Sequence, residues 1–206
     1  MAITLAINDL QAIERAAAAI RRGELVVLPT DTVYGLACSP FDAAAIERIY
    51  VVKQRPADKS LPVLLADESD ALKVAREITP TAAKLMARFW PGVLTLTLPK
   101  RADLPANLTA YATVGLRMPD HDGCRALIRA AGGVLAVTSA NRSGEANPTT
   151  VQMAAASLGE GVAVYLDGGE SANALASTVV DLRGASFTIV RAGAITEAMI
   201  QAVLEG

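Results

Sequence analysis

The sequence predicts an α/β fold, a twisted and mostly mixed sheet flanked by helices. Three observations carry this. Hydrophobic residues make up 52% of the 206 positions and charged residues 19%, which supports a buried core and excludes a disordered or fibrous chain. Helix-like and strand-like patterns interleave without strict alternation, and the last third runs strand, strand, strand. That order favours a mixed sheet over a purely parallel, doubly wound one. Gly and Pro occur singly as punctuation, with no linker, repeat or low-complexity tract, so one domain over residues 1–206 is expected.

The first helix is expected over 9–22, with Asp9 as its cap and Gly23 as its stop. Residues 25–28 form an apolar run, read as a buried strand that ends in a turn at 29–32. A helix over 42–53 places Ile46, Ile49 and Tyr50 on one face. Then follow a strand at 62–65, helices at 69–77 and 81–89, and strands at 93–98 and 114–118. A helix at 124–131 starts beside Asp120 and Asp122, both natural cap residues, and a buried strand at 134–138 follows. The chain continues with a helix at 151–158, strands at 163–166, 178–182 and 187–190, and a helix at 196–204.

Composition also excludes function classes. The net charge is −2, so any polyanion must meet a local cluster of cations. Arginines outnumber lysines 14 to 5, which suits planar recognition of phosphate or carboxylate. Cys38 and Cys124 form no CxxC motif, and two reduced thiols in a cytoplasmic protein are expected. No apolar run approaches a membrane span, and the start of the chain does not read as a signal peptide. A P-loop motif is absent, and the glycines at 159 and 161 lie in the wrong context for a dinucleotide site. The sole histidine, His121, lies in an Asp-rich turn, so neither a histidine triad nor a multi-histidine metal site is expected. Catalysis would rest on positioning and charge.

Four segments place polar or cationic residues at the ends of apolar strands, where α/β proteins bind ligands. Residues 29–36 offer hydroxyls, Asp31 and Gly35, and read equally as a hydroxyl-stabilised turn. Lys53, Arg55 and Lys59 lie close together. Pro56 favours an extended Arg55, which would put Lys53 and Arg55 on one side, fit for a polyphosphate. Cations at a helix C-terminus read equally well there. Ser139 and Asn141 end a strand and could read a base, a ribose or an amino acid, or merely form a turn. Arg117, Ser177 and Arg191 mark three further strand ends. Together they suggest one basic, hydroxyl-rich cavity able to hold ATP with magnesium.

PTDTVYGL at 29–36, KQRP at 53–56 with Lys59, VGLRMP at 114–119, SANRSG at 139–144, STVVDL at 177–182 and VRAG at 190–193 resemble the YrdC-type threonylcarbamoyl-AMP synthases. They occur in that family's order and cover residues 10–195 or so, nearly the whole chain. The resemblance implies a sheet with a large basic concave face. It implies the reaction of L-threonine, bicarbonate and ATP to threonylcarbamoyl-AMP and pyrophosphate, with magnesium accompanying ATP. The product would feed a separate tRNA threonylcarbamoyl transferase complex. Carried over by motif, Thr32, Arg117 and Ser177 would hold threonine, with Ser139 between the substrates. Arg55, Lys59, Thr113, Asn141, Thr149 and Arg191 would hold ATP, and Lys53 and Arg55 would stabilise the leaving pyrophosphate. The length resembles the family's short form. Non-synthase relatives that bind tRNA or double-stranded RNA are the competing implication, although −2 net charge and 4% aromatics favour neither backbone tracking nor base stacking.

Overall fold

Short apolar runs between turns become the strands of a single sheet in the computed structural model, which describes residues 2–56, 59–171, 176–184 and 186–205. In chain order the strands are β1 (Ile3–Ala6), β2 (Val26–Leu28), β3 (Gly35–Cys38), β4 (Val63–Leu65), β5 (Leu94–Pro99), β6 (Thr113–Arg117), β7 (Val134–Ser139), β8 (Val164–Asp167), β9 (Thr178–Asp181) and β10 (Thr188–Arg191). Their spatial order is β1-β8-β2-β3-β7-β4-β6-β5-β9-β10. Four neighbouring pairs are parallel: β1 with β8, β8 with β2, β4 with β6, and β5 with β9. The other five are antiparallel. The sheet is therefore mixed, as expected.

The helices are α1 (Leu10–Arg21), α2 (Ala43–Lys53), α3 (Pro80–Phe89), α4 (Asp122–Ala130), α5 (Val151–Leu158) and α6 (Glu197–Glu205). Asp9 and Asp42 cap α1 and α2 by accepting from Gln11 N and from Ala44 N and Ala45 N. Three expectations need correction. The cap of α4 is His121, whose Nδ1 accepts from Cys124 N at 3.2 Å, rather than either flanking Asp. The helix expected at 69–77 is a 3-10 turn over Glu68–Lys73. Asp70 Oδ2 accepts from Asp67 N at 3.1 Å, and Ala75 bridges to Lys100, which draws the chain out of helical register. Strands β1 and β3 were not expected. β1 is a largely exposed edge, and the small residues Gly35, Ala37 and Cys38 carry little strand propensity of their own. β3 exists because β2 and β7 use both of its edges. Gly35 is needed there, since a Cβ would lie 2.5 Å from Val137 Cγ1.

Two cores lie on the two faces of the sheet. One runs its full width, packing α2, α3, α5 and α6 against residues such as Val27, Leu36, Val63, Leu94, Leu96, Leu116 and Val180. The other packs α1 and α4 against Val26, Leu28, Ala37, Leu64, Leu135, Val137, Val164 and Leu166. This second core reaches no residue of β5, β6, β9 or β10. That part of the sheet carries helices on one face, and its other face is left for polar side chains.

Candidate active site

Strict alternation builds the open face. Leu94, Leu96 and Leu98 enter the full-width core, so Thr95 and Thr97 point the other way. On β6, Val114 and Leu116 go inward and Thr113, Gly115 and Arg117 share the open side. A Cβ on Gly115 would come within 3.3 Å of Thr95 Cγ2, so glycine keeps this floor low.

Arg117 reaches across the face to the turn after β2. Its Nε donates to Gly92 O at 2.9 Å, its Nη1 to Thr32 Oγ1 at 3.2 Å, and its Nη2 to Asp31 Oδ1. The ion pair is secluded, with side-chain exposures of 7% for Arg117 and 10% for Asp31. Thr30 shapes that turn. Its hydroxyl donates to Val33 O at 2.7 Å and accepts from the amides of Thr32 and Val33 at 3.1 and 3.3 Å. Thr32 is thereby held with its hydroxyl on the arginine.

At the start of β9, the hydroxyls of Ser177 and Thr95 lie 2.8 Å apart. Arg191, from the end of β10, donates from Nη2 to Ser177 Oγ at 2.9 Å and from Nε to Ser177 O at 3.0 Å. Partial burial, together with the nearby Arg117 charge, holds the Arg191 guanidinium below the ordinary arginine value. The repulsion between the two guanidinium groups favours an anion beside Arg191.

Lys53 corrects the sequence reading. It is the last residue of α2, and Gln54 turns left-handed with φ 50°. Lys53 and Arg55 are therefore not neighbours on one extended edge. The Lys53 side chain is buried and donates to Ser139 O, to Asn141 O and, at 3.4 Å, to Asn141 Oδ1. Its ammonium holds the loop after β7. Lys53 O accepts from Ser143 N at 2.9 Å, and Asn141 Nδ2 donates to Glu145 O at 2.7 Å. Burial, then repulsion from Arg55, lowers the Lys53 pKa to about 8, against a smaller opposing pull from Glu145. Arg55 instead braces its own loop, donating to Lys59 O at 3.2 Å and Ser60 O at 3.0 Å. Ser60 Oγ donates to Thr109 Oγ1 at 2.9 Å, and Thr109 Oγ1 to Thr113 O at 3.1 Å, which joins that loop to β6. Lys59 is exposed. Thr149 is half-buried, with its hydroxyl 3.7 Å from Met153 Sδ and its carbonyl accepting from Ser171 N.

Thr32, Arg117, Ser177 and Arg191 thus converge, and Lys53, Ser139 and Asn141 form an adjoining cluster. Gly35 pairs with Ser139 across β3 and β7, and Ala140 N donates to Tyr34 O, so the turn bearing Thr32 adjoins both. Thr95 is not among the expected site residues, and Asp31 is expected only as part of the polar turn at 29–36. The Leu-Thr-Leu-Thr-Leu run at 94–98 carried the signal for Thr95, whereas Asp31 looked like an ordinary turn residue. Burial pushes the Cys38 thiol up to about 12 and raises that of Cys124, so both are poor nucleophiles. Among the described residues, no group of three His, Cys, Asp or Glu side chains could hold a metal ion.

The Sua5/YciO/YrdC family model, described as telomere recombination, matches residues 18–193. This chain belongs to the Sua5/YciO/YrdC family. It is 41% identical over 202 residues to the threonylcarbamoyl-AMP synthase of Bacillus subtilis (strain 168), covering 97% of this chain and 58% of that protein. The Pyrococcus abyssi Sua5 structure complexed with L-threonine superposes with a TM-score of 0.93 at 36% identity, over 99% of this chain and 61% of that one. This family member therefore spans less than two thirds of those two relatives. Escherichia coli YciO superposes with a TM-score of 0.82 at 26% identity, over 94% of this chain and 95% of that one.

Proposed function

We propose that this chain is an L-threonylcarbamoyladenylate synthase. The observation that carries the reading is the pairing of Arg117 with Thr32 and of Arg191 with Ser177, whose hydroxyl meets Thr95 on the same open face as Arg117. Such a set recognises a small carboxylate next to a phosphate. The threonine complex of Pyrococcus abyssi Sua5 and the name of the Bacillus subtilis relative support it.

Arg117 takes the threonine carboxylate, and Thr32 and Ser177 complete that pocket. Arg191, Arg55, Lys59, Thr113, Asn141 and Thr149 serve ATP, and Ser139 lies between the substrates. Lys53 acts as a positioning residue through Ser139 and Asn141. The threonine nitrogen bonds to the bicarbonate carbon, with loss of water, to give a carbamate. A carbamate oxygen then attacks the α-phosphorus, the bond to the β-phosphate oxygen breaks, and pyrophosphate leaves. No protein nucleophile is required. Holding two anions together and offsetting their charge supplies the catalysis. Magnesium arrives on the ATP phosphates as part of the substrate. The mixed anhydride is passed to a tRNA threonylcarbamoyl transferase complex. The reading places the protein in the cytoplasm, in keeping with the lack of any membrane-length apolar helix among the described residues.

The test is incubation with L-threonine, bicarbonate, ATP and magnesium, followed by mass spectrometry and pyrophosphate measurement. Threonylcarbamoyl-AMP that depends on all three substrates is expected. Absence of both the adduct and threonine-dependent pyrophosphate overturns the reading.

A further inference from the structure

Asp31 is out of place in a site built for anions. It lies against Arg117 with its side chain 10% exposed, yet its Oδ2 is buried with no hydrogen-bond partner among the described residues. A buried acceptor without a donor is costly, and more so when charged. Its surroundings add to the cost. Asp31 lines a cavity of about 340 Å³ between the turn after β2, the start of α4 and the loop after β8. The other carboxylates in its wall belong to Asp120 and Glu170, and neither Lys nor Arg lines it. A second orphan, Ser171 Oγ, lines the same cavity. What would relieve both is a ligand group that is cationic and rich in N–H donors.

We propose that Asp31 receives the amino group of the amino-acid substrate, so that the Arg117 and Asp31 pair reads a zwitterion. The inference rests on threonine being the substrate and adds the residue that selects its amine. An α-amino acid carries opposite charges on neighbouring atoms, and the secluded pair presents the opposite charges side by side. Arg117 alone would admit many small carboxylates. Asp31 turns away those that lack the amine, because their binding leaves its Oδ2 buried without a donor.

Calorimetric titration decides this, with α,β-methylene-ATP present so that no adenylate forms. The ligands are L-threonine and (2S,3R)-2,3-dihydroxybutanoate, in which a hydroxyl replaces the amine. Wild-type protein binds threonine at least ~10-fold more tightly than the hydroxy acid. Asp31→Asn keeps an acceptor for Arg117. It weakens threonine binding at least ~10-fold, removes most of the preference, and raises the threonine KM but not the ATP KM. A purely structural role would move both KM values. Equal wild-type affinity for the two ligands overturns the proposal even if Asp31→Asn fails to fold. Undiminished preference in Asp31→Asn overturns it while leaving the synthase reading intact. If wild-type protein binds no threonine, the synthase reading falls first and this one with it.

Discussion

The two halves of the sheet are made by different rules. β8, β2, β3 and β7 are sandwiched, with α1 and α4 on one face and α2 and α5 on the other. Their strands are apolar on both sides, as in Val26-Val27-Leu28 and Val134-Leu135-Ala136-Val137, all buried. β6, β5 and β9 carry helices on one face only, so Leu alternates with Thr, and Thr113, Gly115 and Arg117 alternate with Val114 and Leu116. The sandwiched half supplies rigidity. The half-covered part supplies a polar floor on which charged groups from distant strand ends can meet. Among the described residues, polar and charged side chains collect where no helix covers the sheet.

Substitutions can break that contrast. Ile20→Ala, in the sandwiched half, removes a side chain that is 2% exposed and should cost about 2–5 kcal/mol in a urea melt. Turnover per folded molecule should stay unchanged; a fall would mean the halves are coupled. Arg191→Ala should do the opposite. Pyrophosphate release should drop roughly 100-fold, as for loss of one preorganised donor, with stability altered by less than about 1 kcal/mol.

Lys53→Met sharpens the boundary between the halves. It strips the donors from Ser139 O and Asn141 O and should raise the ATP KM at least ~10-fold. The pKa of about 8 adds a pH signature. The charged form holds the loop below that value and is lost as pH rises through it, so wild-type ATP affinity should decline above about pH 8. Lys53→Met should lack that limb. The sign for folding is reversed. An unfolded lysine keeps its proton to near 10.5 while the folded one releases it near 8, so this group's contribution to stability rises with pH between those values. The smallest effect is expected for Thr95→Val, which removes one partner of Ser177 but keeps the shape. The threonine KM should rise about 3- to 10-fold, with no shift in the ATP KM.

Much of this was legible from local pattern. Asp9 and Asp42 cap the helices they precede, and α5 has the expected bounds of 151–158. Thr32 meets Arg117 and Ser177 meets Arg191 across strand ends far apart in the chain. The failures have local causes too. β3 was hidden because Gly35, Ala37 and Cys38 look like turn material until two neighbouring strands bind their backbones. The edge Lys53 and Arg55 were expected to share was lost because one left-handed residue, Gln54, separates them.

By itself, the chain determined most of its helix and strand periods and which residues stand at strand ends, because these depend on neighbours a few positions away. Only the tertiary structure decided that Lys53 turns inward, that Asp31 occupies the Arg117 fork, and that one face of β5 and β6 stays uncovered. Those outcomes depend on partners far apart in sequence, and only strand pairing and the burial of charge bring them into contact.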